Sequence, residues 1–288
     1  MIKGMLSIAI PSKTERFLEK TIRDVLKNAT GNIEVFPILD GYNPPAEEIV
    51  DDPRVHYIHF EPTRHAKKRQ GINHVAEISS GEYIMSLDAH CMMSYGFDEV
   101  LLKDIEDDWV VVPRRQRLDA ENWCLQTQVD NRPPIDYEYL MWPLKFDPPS
   151  FHGFKWDART LERCGIMIDS VMEIQGSAWV QSKKWFRHCG FMQVEGYQGW
   201  GSEGEELVMQ TLKMGGQAMV VKEAEIAHLH KGSHYGRFYH LDRNESRASY
   251  KYSYDFWVHK NRDFFVSFIE RFMPIPGWPS DWESKLYG

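Results

Sequence analysis

Cysteine is scarce in this chain and never paired: Cys91, Cys124, Cys164 and Cys189 stand far apart, with no C-x-x-C. That spacing offers neither a disulfide framework nor a thiolate zinc site, and isolated thiols of this kind point to a reducing compartment. Long apolar runs are missing as well; none approaches the length of a membrane-spanning helix. Met1-Ile2-Lys3-Gly4-Met5 leads straight into a strand-like stretch, without the basic and apolar regions of a signal peptide. The expectation is a cytoplasmic protein with no membrane partner. Positive charge is in deficit: 34 Lys and Arg face 42 Asp and Glu, for a net charge of −8. That balance argues against a general nucleic-acid binder. Internal repeats and low-complexity linkers are also absent.

What is present is an ordinary globular composition, 42% hydrophobic and 26% charged, over 288 residues, enough for one large domain or two small ones. Aromatics reach 13% and include ten Trp, which suits core filling or a ring-lined cleft. The basic residues are unevenly placed. They cluster at Arg64-Lys67-Lys68-Arg69, at Arg114-Arg115-Arg117, and along 231–262, where seven Lys and Arg meet three acids. Converging in space, such clusters would favour a diphosphate or polyanion; scattered, they are solvated faces.

The first 120 residues alternate between strand and helix patterns. Leu6 to Ile10 reads as a strand ended by Pro11, and Glu15 to Asn28 as a helix with Thr14 available as N-cap. Ile33 to Leu39 is a second strand ending at Asp40-Gly41, with Pro37 awkward for a central position. Val55 to Phe60 alternates like a third. Ala66 to Ile78 reads as a helix, Glu82 to Leu87 as a strand and Trp109 to Val112 as another. This β-α-β-β-α-β order predicts an α/β fold with a parallel or mixed sheet flanked by helices. From 114 to 165 the pattern dissolves into Pro-rich and aromatic-rich sequence of the kind that forms functional loops. Glu173 to Gln181 and Gln217 to Val221 read as further strands, with a helix over 205–214 stopped by Gly215-Gly216. The last residues form an aromatic, basic and helical tail.

Chemistry concentrates at Leu87-Asp88-Ala89-His90-Cys91, directly after a strand. On extended backbone, residues i and i+2 share a side, so Asp88 and His90 can offer an oxygen and a nitrogen to one point. That donor pair suits a borderline ion such as Mn²⁺. An isolated D-x-H is equally a capping Asp beside a surface His. Three other segments bear on the choice. Trp200-Gly201-Ser202-Glu203-Gly204-Glu205-Glu206 is an acidic turn opening a helix, where negative charge is favourable in any case. Ile226-Ala227-His228-Leu229-His230-Lys231 offers another imidazole and a cation. Phe151-His152-Gly153-Phe154-Lys155-Trp156 is an aromatic loop.

Taken in order, these segments resemble family-2-type glycosyltransferases of GT-A fold, most of all the polypeptide N-acetylgalactosaminyltransferases. The matching pieces are Asp88-Ala89-His90-Cys91, His152-Gly153-Phe154-Lys155-Trp156, Trp200-Gly201-Ser202-Glu203-Gly204, Met214-Gly215-Gly216 and Ala227-His228-Leu229-His230-Lys231. The resemblance runs over roughly residues 5–236; the family's lectin domain and membrane anchor have no counterpart. It implies a GT-A catalytic domain over 1–230, split into a nucleotide-binding half (1–112) and an acceptor and sugar half (113–230), with an extension over 231–288.

The resemblance also implies a site. Asp88, His90 and His228 would hold Mn²⁺ (or Mg²⁺) against the diphosphate of a nucleotide-sugar. Pro11, Asp40, Arg69, Gly176, Ser177, Trp200 and Lys231 would contact the donor, with the register at Arg69 open by one. Trp156, His234 and Tyr235 are candidate acceptor contacts. Glu203 falls where the family touches the transferred sugar. Glu205 or Glu206 could serve as the base of an inverting reaction, whereas the family itself retains configuration. Ser177 and Ser202 each replace a Gly, and Gly204 an Asn, which leaves the sugar open. The expected acceptor is a hydroxyl of a peptide or saccharide. The interleaved cations and rings of 235–262 keep a hydroxymethylated pyrimidine of DNA as an alternative. A silent sugar-nucleotide or glycan-binding protein, and a metal-dependent nucleotidyltransferase or hydrolase, are the readings of other classes.

Overall fold

In a computed structural model, the structure describes residues 1–63, 67–126, 133–198, 201–236, 239 and 242–288. Leu6, Ile8 and Ile10, all fully buried, drive the first strand, β1 (Ile2–Ser12), into the centre of the sheet. Helix α1 (Leu18–Asn28) follows, then β2 (Ile33–Asp40), β3 (Ile58–Phe60), α2 (Lys68–Ile78), β4 (Gly81–Leu87) and β5 (Cys91–Met93). Next come α3 (Phe97–Leu102), β6 (Trp109–Asp119), β7 (Cys124–Leu125), β8 (Glu138–Leu140), β9 (Gly153–Lys155) and α4 (Asp157–Glu162). β10 (Ile168–Ser170), β11 (Ala178–Ser182), α5 (Lys183–His188), α6 (Glu203–Lys213) and β12 (Gln217–His228) complete the sheet region. The C-terminal part contains α7 (Gly232–Tyr235), α8 (Arg243–Tyr254), a π-helical turn over Asp255–Lys260, α9 (Arg262–Phe272) and α10 (Trp282–Tyr287).

The main sheet has the order β10-β12-β6-β11-β4-β1-β2-β3. Pairings among β1, β2, β3 and β4 are parallel, β11 runs antiparallel between β4 and β6, and β12 lies parallel to β6. The sheet is therefore mixed, as the strand and helix order predicted. β2 is buried along its whole length, which is why it reads as a continuous apolar run rather than an alternating one. Pro37 fits inside β2 for a directional reason. Val35 donates its N–H to Arg54 on the β3 side, so Pro37, two residues on, directs its missing donor to that sparsely paired side too.

Several local boundaries differ from the sequence expectation. α1 begins at Leu18, not Glu15, and Thr14 is no cap: it sits at φ 54° and its hydroxyl donates to the Lys13 carbonyl. The third strand shrinks to Ile58–Phe60, with an isolated bridge at Val55. β6 runs on to Asp119 through sequence that looked irregular, because β12 pairs with it as far as Arg117. The stretch 173–177 holds only an isolated bridge at Glu173 and a turn at 176–177 rather than strand; β11 starts only at Ala178. β12 extends through a register shift to His228, well past Val221.

Two apolar cores flank the sheet. On one side α1 and α3 cover Leu6, Ile8, Met85 and Val180. On the other, α2, α6 and the C-terminal helices pack into a single cluster, in which Val110 and Trp179 share a core with Trp257, Phe265, Phe268 and Trp282. The tail aromatics are largely committed to this packing. Tyr254 and Trp257 are buried, Phe256 lies against the same cluster, and the Tyr252 ring fills the space beside Gly196. Among the tail cations, Arg247 pairs with Asp147, Lys251 with Asp255 and Arg262 with Glu283. Arg237 and Phe238 lie outside the described residues. No helix among the described residues is long and apolar enough to cross a membrane.

Candidate active site

The C-terminal ends of β4 and β12 and the N-termini of α2 and α6 converge on one cavity of about 680 Å³, and the ends of β1 and β2 line a smaller one of about 80 Å³ beside it. Open α/β sheets bind ligands at this end of their strands. Asp88 follows β4, and its N–H donates to the Ser177 carbonyl at 2.8 Å, which closes the 173–177 turn over it. The Asp88-Ala89-His90 backbone bends instead of staying extended, but both side chains still face the same point. Two contacts with α1 fix that bend: Cys91 N–H donates to Thr21 Oγ1 at 3.1 Å and Met93 N–H to Asp24 Oδ1 at 2.7 Å. The β5–β12 pairing then sets His228 opposite Cys91, next to His90.

The result is a compact donor set. His90 Nε2 lies 3.1 Å from His228 Nε2, which lies 3.4 Å from Asp88 Oδ2. One ligand atom from each of the three residues falls within 4.8 Å of the others. Two ring nitrogens turned on each other beside a carboxylate suit a divalent ion of intermediate softness, Mn²⁺ included. Burial, with a neighbouring imidazole, pushes His228 down to about 4, so it is neutral near physiological pH, the state that ligates. Burial would raise the Asp88 carboxyl, but Lys68 and the two imidazoles outweigh it and hold it far below the carboxylate range.

Around this set lie groups of both signs. Lys68 Nζ donates to Asp88 Oδ1 at 2.9 Å and to the Gly176 carbonyl at 3.2 Å. Lys231 is ion-paired with Glu15, whose Oε2 is also 3.2 Å from His90 Nδ1. Burial opposes ionisation of Glu15, yet His90 and Lys231 win and lower its carboxyl. At the other end, Pro11, Ser12 and Asp40 line a smaller extension of the cavity. Asp40 accepts from Lys13 Nζ and from the Lys67 N–H, each at 3.0 Å. Gly176, Ser177 and Glu203 form the opposite wall. The Ser177 hydroxyl donates to Gln175 Oε1 at 3.2 Å.

Not every expected site residue comes here. Arg69 points away from the cavity. Its guanidinium is ion-paired with Glu206, lies over the Tyr197 ring at 3.8 Å and donates to the Gln193 and Gly201 carbonyls. The register is off by one, and Lys68 is the cation that faces Asp88. Glu206 is correspondingly committed: it also accepts the Gln193 N–H and is 2% exposed, so it is no free base. Glu205 faces a side cavity and not the metal donors, and burial pushes it up to about 8. Trp156 is buried in the core beside Tyr139 and Arg159, where the aromatic loop anchors β9, and does not line the cavity. Tyr235 packs on Phe17 and donates to Glu121, and His234 is exposed on α7; neither lines the cavity. Trp200 lies outside the described residues. Among the described members of the basic clusters, Lys67, Lys68 and Lys231 reach the site. Arg114 and Arg115 are taken by Asp136 and Glu138.

Glu15, Glu138 and Glu173 carry no local signal of a site role, and Lys68 stands out only as part of a basic cluster. Glu15 reads as the start of a helix, and only the fold brings it to His90. The remaining signal was the Arg69 register itself, one residue from Lys68.

A mixed sheet with this strand order, a D-x-H bend after β4 and a histidine ending β12 define a GT-A fold. The profile of Glycosyl transferase family 2 matches residues 7–157, just over half of the chain. The chain belongs to that family. It is 21% identical over 276 residues to the human polypeptide N-acetylgalactosaminyltransferase 14, which covers 90% of this chain and 46% of that protein. It thus spans about half the length of that relative. A crystal structure of GalNAc-T7 with UDP, GalNAc and Mn²⁺ superposes with a TM-score of 0.66 at 15% identity, over 98% of this chain and 54% of that one. The S. aureus TarS structure matches with a TM-score of 0.52 at 11% identity, over 79% and 37% respectively.

Proposed function

We infer that this chain transfers a sugar from a nucleotide-diphosphate donor, a UDP-sugar first of all, to a hydroxyl of a larger acceptor such as a peptide or saccharide. The observation that carries the reading is the meeting of Asp88, His90 and His228 within 4.8 Å in a cavity that also holds Lys68, Lys231 and Glu203. A divalent ion bound there, Mn²⁺ or Mg²⁺, would stabilise charge on the leaving diphosphate as a Lewis acid. In this reading Lys68 and Lys231 add point charges for the phosphates, released from Asp88 and Glu15 when the donor enters. Pro11 and Asp40 flank the nucleoside in the extension of the cavity, and Gly176, Ser177 and Glu203 border the transferred sugar. Residues 1–230 carry most of this chemistry, with Lys231 added from the start of the 231–288 extension that packs on them.

The acceptor oxygen bonds to the anomeric carbon as the bond from that carbon to the diphosphate oxygen breaks. The electron pair goes to the diphosphate oxygen, and the hydroxyl's proton passes to the released diphosphate and on to solvent. Glu206 is held by Arg69, and Glu205, at about 8, is mostly protonated near neutral pH. Glu203 is thus the acid among the three that borders both the donor cavity and its neighbour. A panel of nucleotide-sugars with Mn²⁺, read by nucleoside diphosphate release, tests the reading. UDP release that stops with EDTA and in the Asp88→Ala protein is expected. No release from any donor would refute transfer, and release that survives EDTA would refute the metal role.

A further inference from the structure

A second cavity of about 200 Å³ adjoins the donor cavity and shares Gln175, Gly176 and Glu203 with it. Its wall is unusual in charge. Glu138, Glu173 and Glu205 join Glu203 there, and no Lys or Arg lines it among the described residues. Glu138 is satisfied, since Arg115 donates to both its oxygens at 2.8 and 2.9 Å from behind. Among the described residues, Glu173 and Glu205 have no cation within ion-pair distance, Arg115 and Arg69 acting on them only from further off. An isolated antiparallel bridge sets Glu173 directly opposite Glu138, where like charges repel.

Glu173 is 4% exposed and its Oε2 has no hydrogen-bond partner; Ser202, 5% exposed, leaves its Oγ equally unpartnered. Buried polar atoms without partners are costly, so two of them on one cavity mark a place for a ligand that donates hydrogen bonds. Glycine lets the walls of this space pack closely and holds Glu173 in place. A Cβ on Gly204 would lie 1.8 Å from the Ile174 carbonyl oxygen, and one on Gly153 would lie 3.0 Å from Glu173 Cγ. Tyr250 and His152, with ring centroids 5.2 Å apart, supply an aromatic rim.

We propose that this side cavity seats an ammonium group of the acceptor, so that the hydroxyl substrate is an amine-bearing one such as an amino sugar. The proposal rests on the transferase reading above. An ammonium brings three donors and the positive charge that the wall lacks, and the rings favour a cation over their faces. Burial and mutual repulsion raise the Glu173 and Glu205 carboxyls, as expected for acids short of a counter-cation. Glu203, between the two cavities, then stands between the bound ammonium and the donor sugar.

Calorimetric titration of the UDP- and Mn²⁺-loaded protein with glucosamine and with glucose separates the cases. Glucosamine is expected to bind roughly tenfold or more tightly than glucose, the scale of one charge-assisted hydrogen bond. Glu173→Gln and Glu205→Gln should each erase most of that preference, with UDP binding of the Glu173→Gln protein as the check that it is folded. Equal binding of the two sugars overturns the proposal, as does an undiminished preference in both variants. A second Mn²⁺ equivalent that is lost in Glu173→Gln also overturns it, because the cavity would then be a metal site. Failure of the wild-type protein to bind UDP would instead count against the transferase reading.

Discussion

Glu15 shows how one carboxylate ties the site together. It contacts His90 Nδ1 on one side and the Lys231 ammonium on the other, while itself 7% exposed. A carboxylate behind a ligating imidazole fixes the ring and its tautomer, and removing such a partner costs about 10–100-fold in metal affinity. Glu15→Ala should therefore weaken Mn²⁺ binding within that range, as measured by titration with paramagnetic detection. Unchanged affinity would separate Glu15 from the metal set. His228→Ala removes a donor outright and should lose saturable Mn²⁺ binding altogether in the same titration. Asp88 and His90 were legible in the sequence because they sit next to each other at a strand end. Glu15 was not, since its partner lies 75 positions away and only the meeting of β1 with the bend after β4 brings them together.

Among elements, the contact of α2 with α6 sets the donor cavity. Arg69, 3% exposed, reaches across to Glu206, 2% exposed, and the pair locks the turn of α2 that carries Lys68 against the turn of α6 that carries Glu203. Breaking a buried ion pair from one side leaves an uncompensated charge and costs about 3–5 kcal/mol. Arg69→Met should lower urea stability by that order, and Arg69→Met with Glu206→Leu should recover most of it. If the single variant is as stable as the wild type, Glu206 has another partner and the lock is misassigned. The one-residue slip between Lys68 and Arg69 is physical: successive helical residues point about 100° apart, so the start of the helix decides which cation faces the site. Charge and spacing alone carry no such phase.

Over the whole molecule, stability and pH are linked through the side cavity. Glu205 has an ordinary carboxyl range near 4.5 when unfolded and about 8 in the fold. Below the lower value the group is neutral in both states and imposes no penalty. Between the two, the unfolded chain ionises it while the fold keeps it protonated, so stability falls as pH rises through that window. The loss is on the order of a few kcal/mol. Urea midpoints should therefore decline from about pH 5 toward about pH 8, and Glu205→Gln should flatten the decline. A wild-type profile level across that window would refute the burial assigned to Glu205. The C-terminal helices belong to the same core as the sheet, with Phe265 and Ile269 fully buried beside Val110 and Trp179. Removing 262–288 would expose this apolar face, and the shortened chain should aggregate or lose its cooperative unfolding transition, read by calorimetry.

The sequence by itself carried the strand and helix alternation of the first 120 residues, the donor pair Asp88 and His90, and the acidic start of α6, because each is written in local period or in near-adjacent residues, whereas His228 joined them through the family resemblance. The tertiary structure decided which of the acids and cations work together. It gave Asp88 to Lys68, His90 to Glu15, and Glu206 to Arg69, and left Glu173 and Glu205 facing a cavity that no Lys or Arg among the described residues lines. Partners of that kind are set by sheet order, helix phase and burial, which act between residues far apart in the chain. Local pattern carries no record of them.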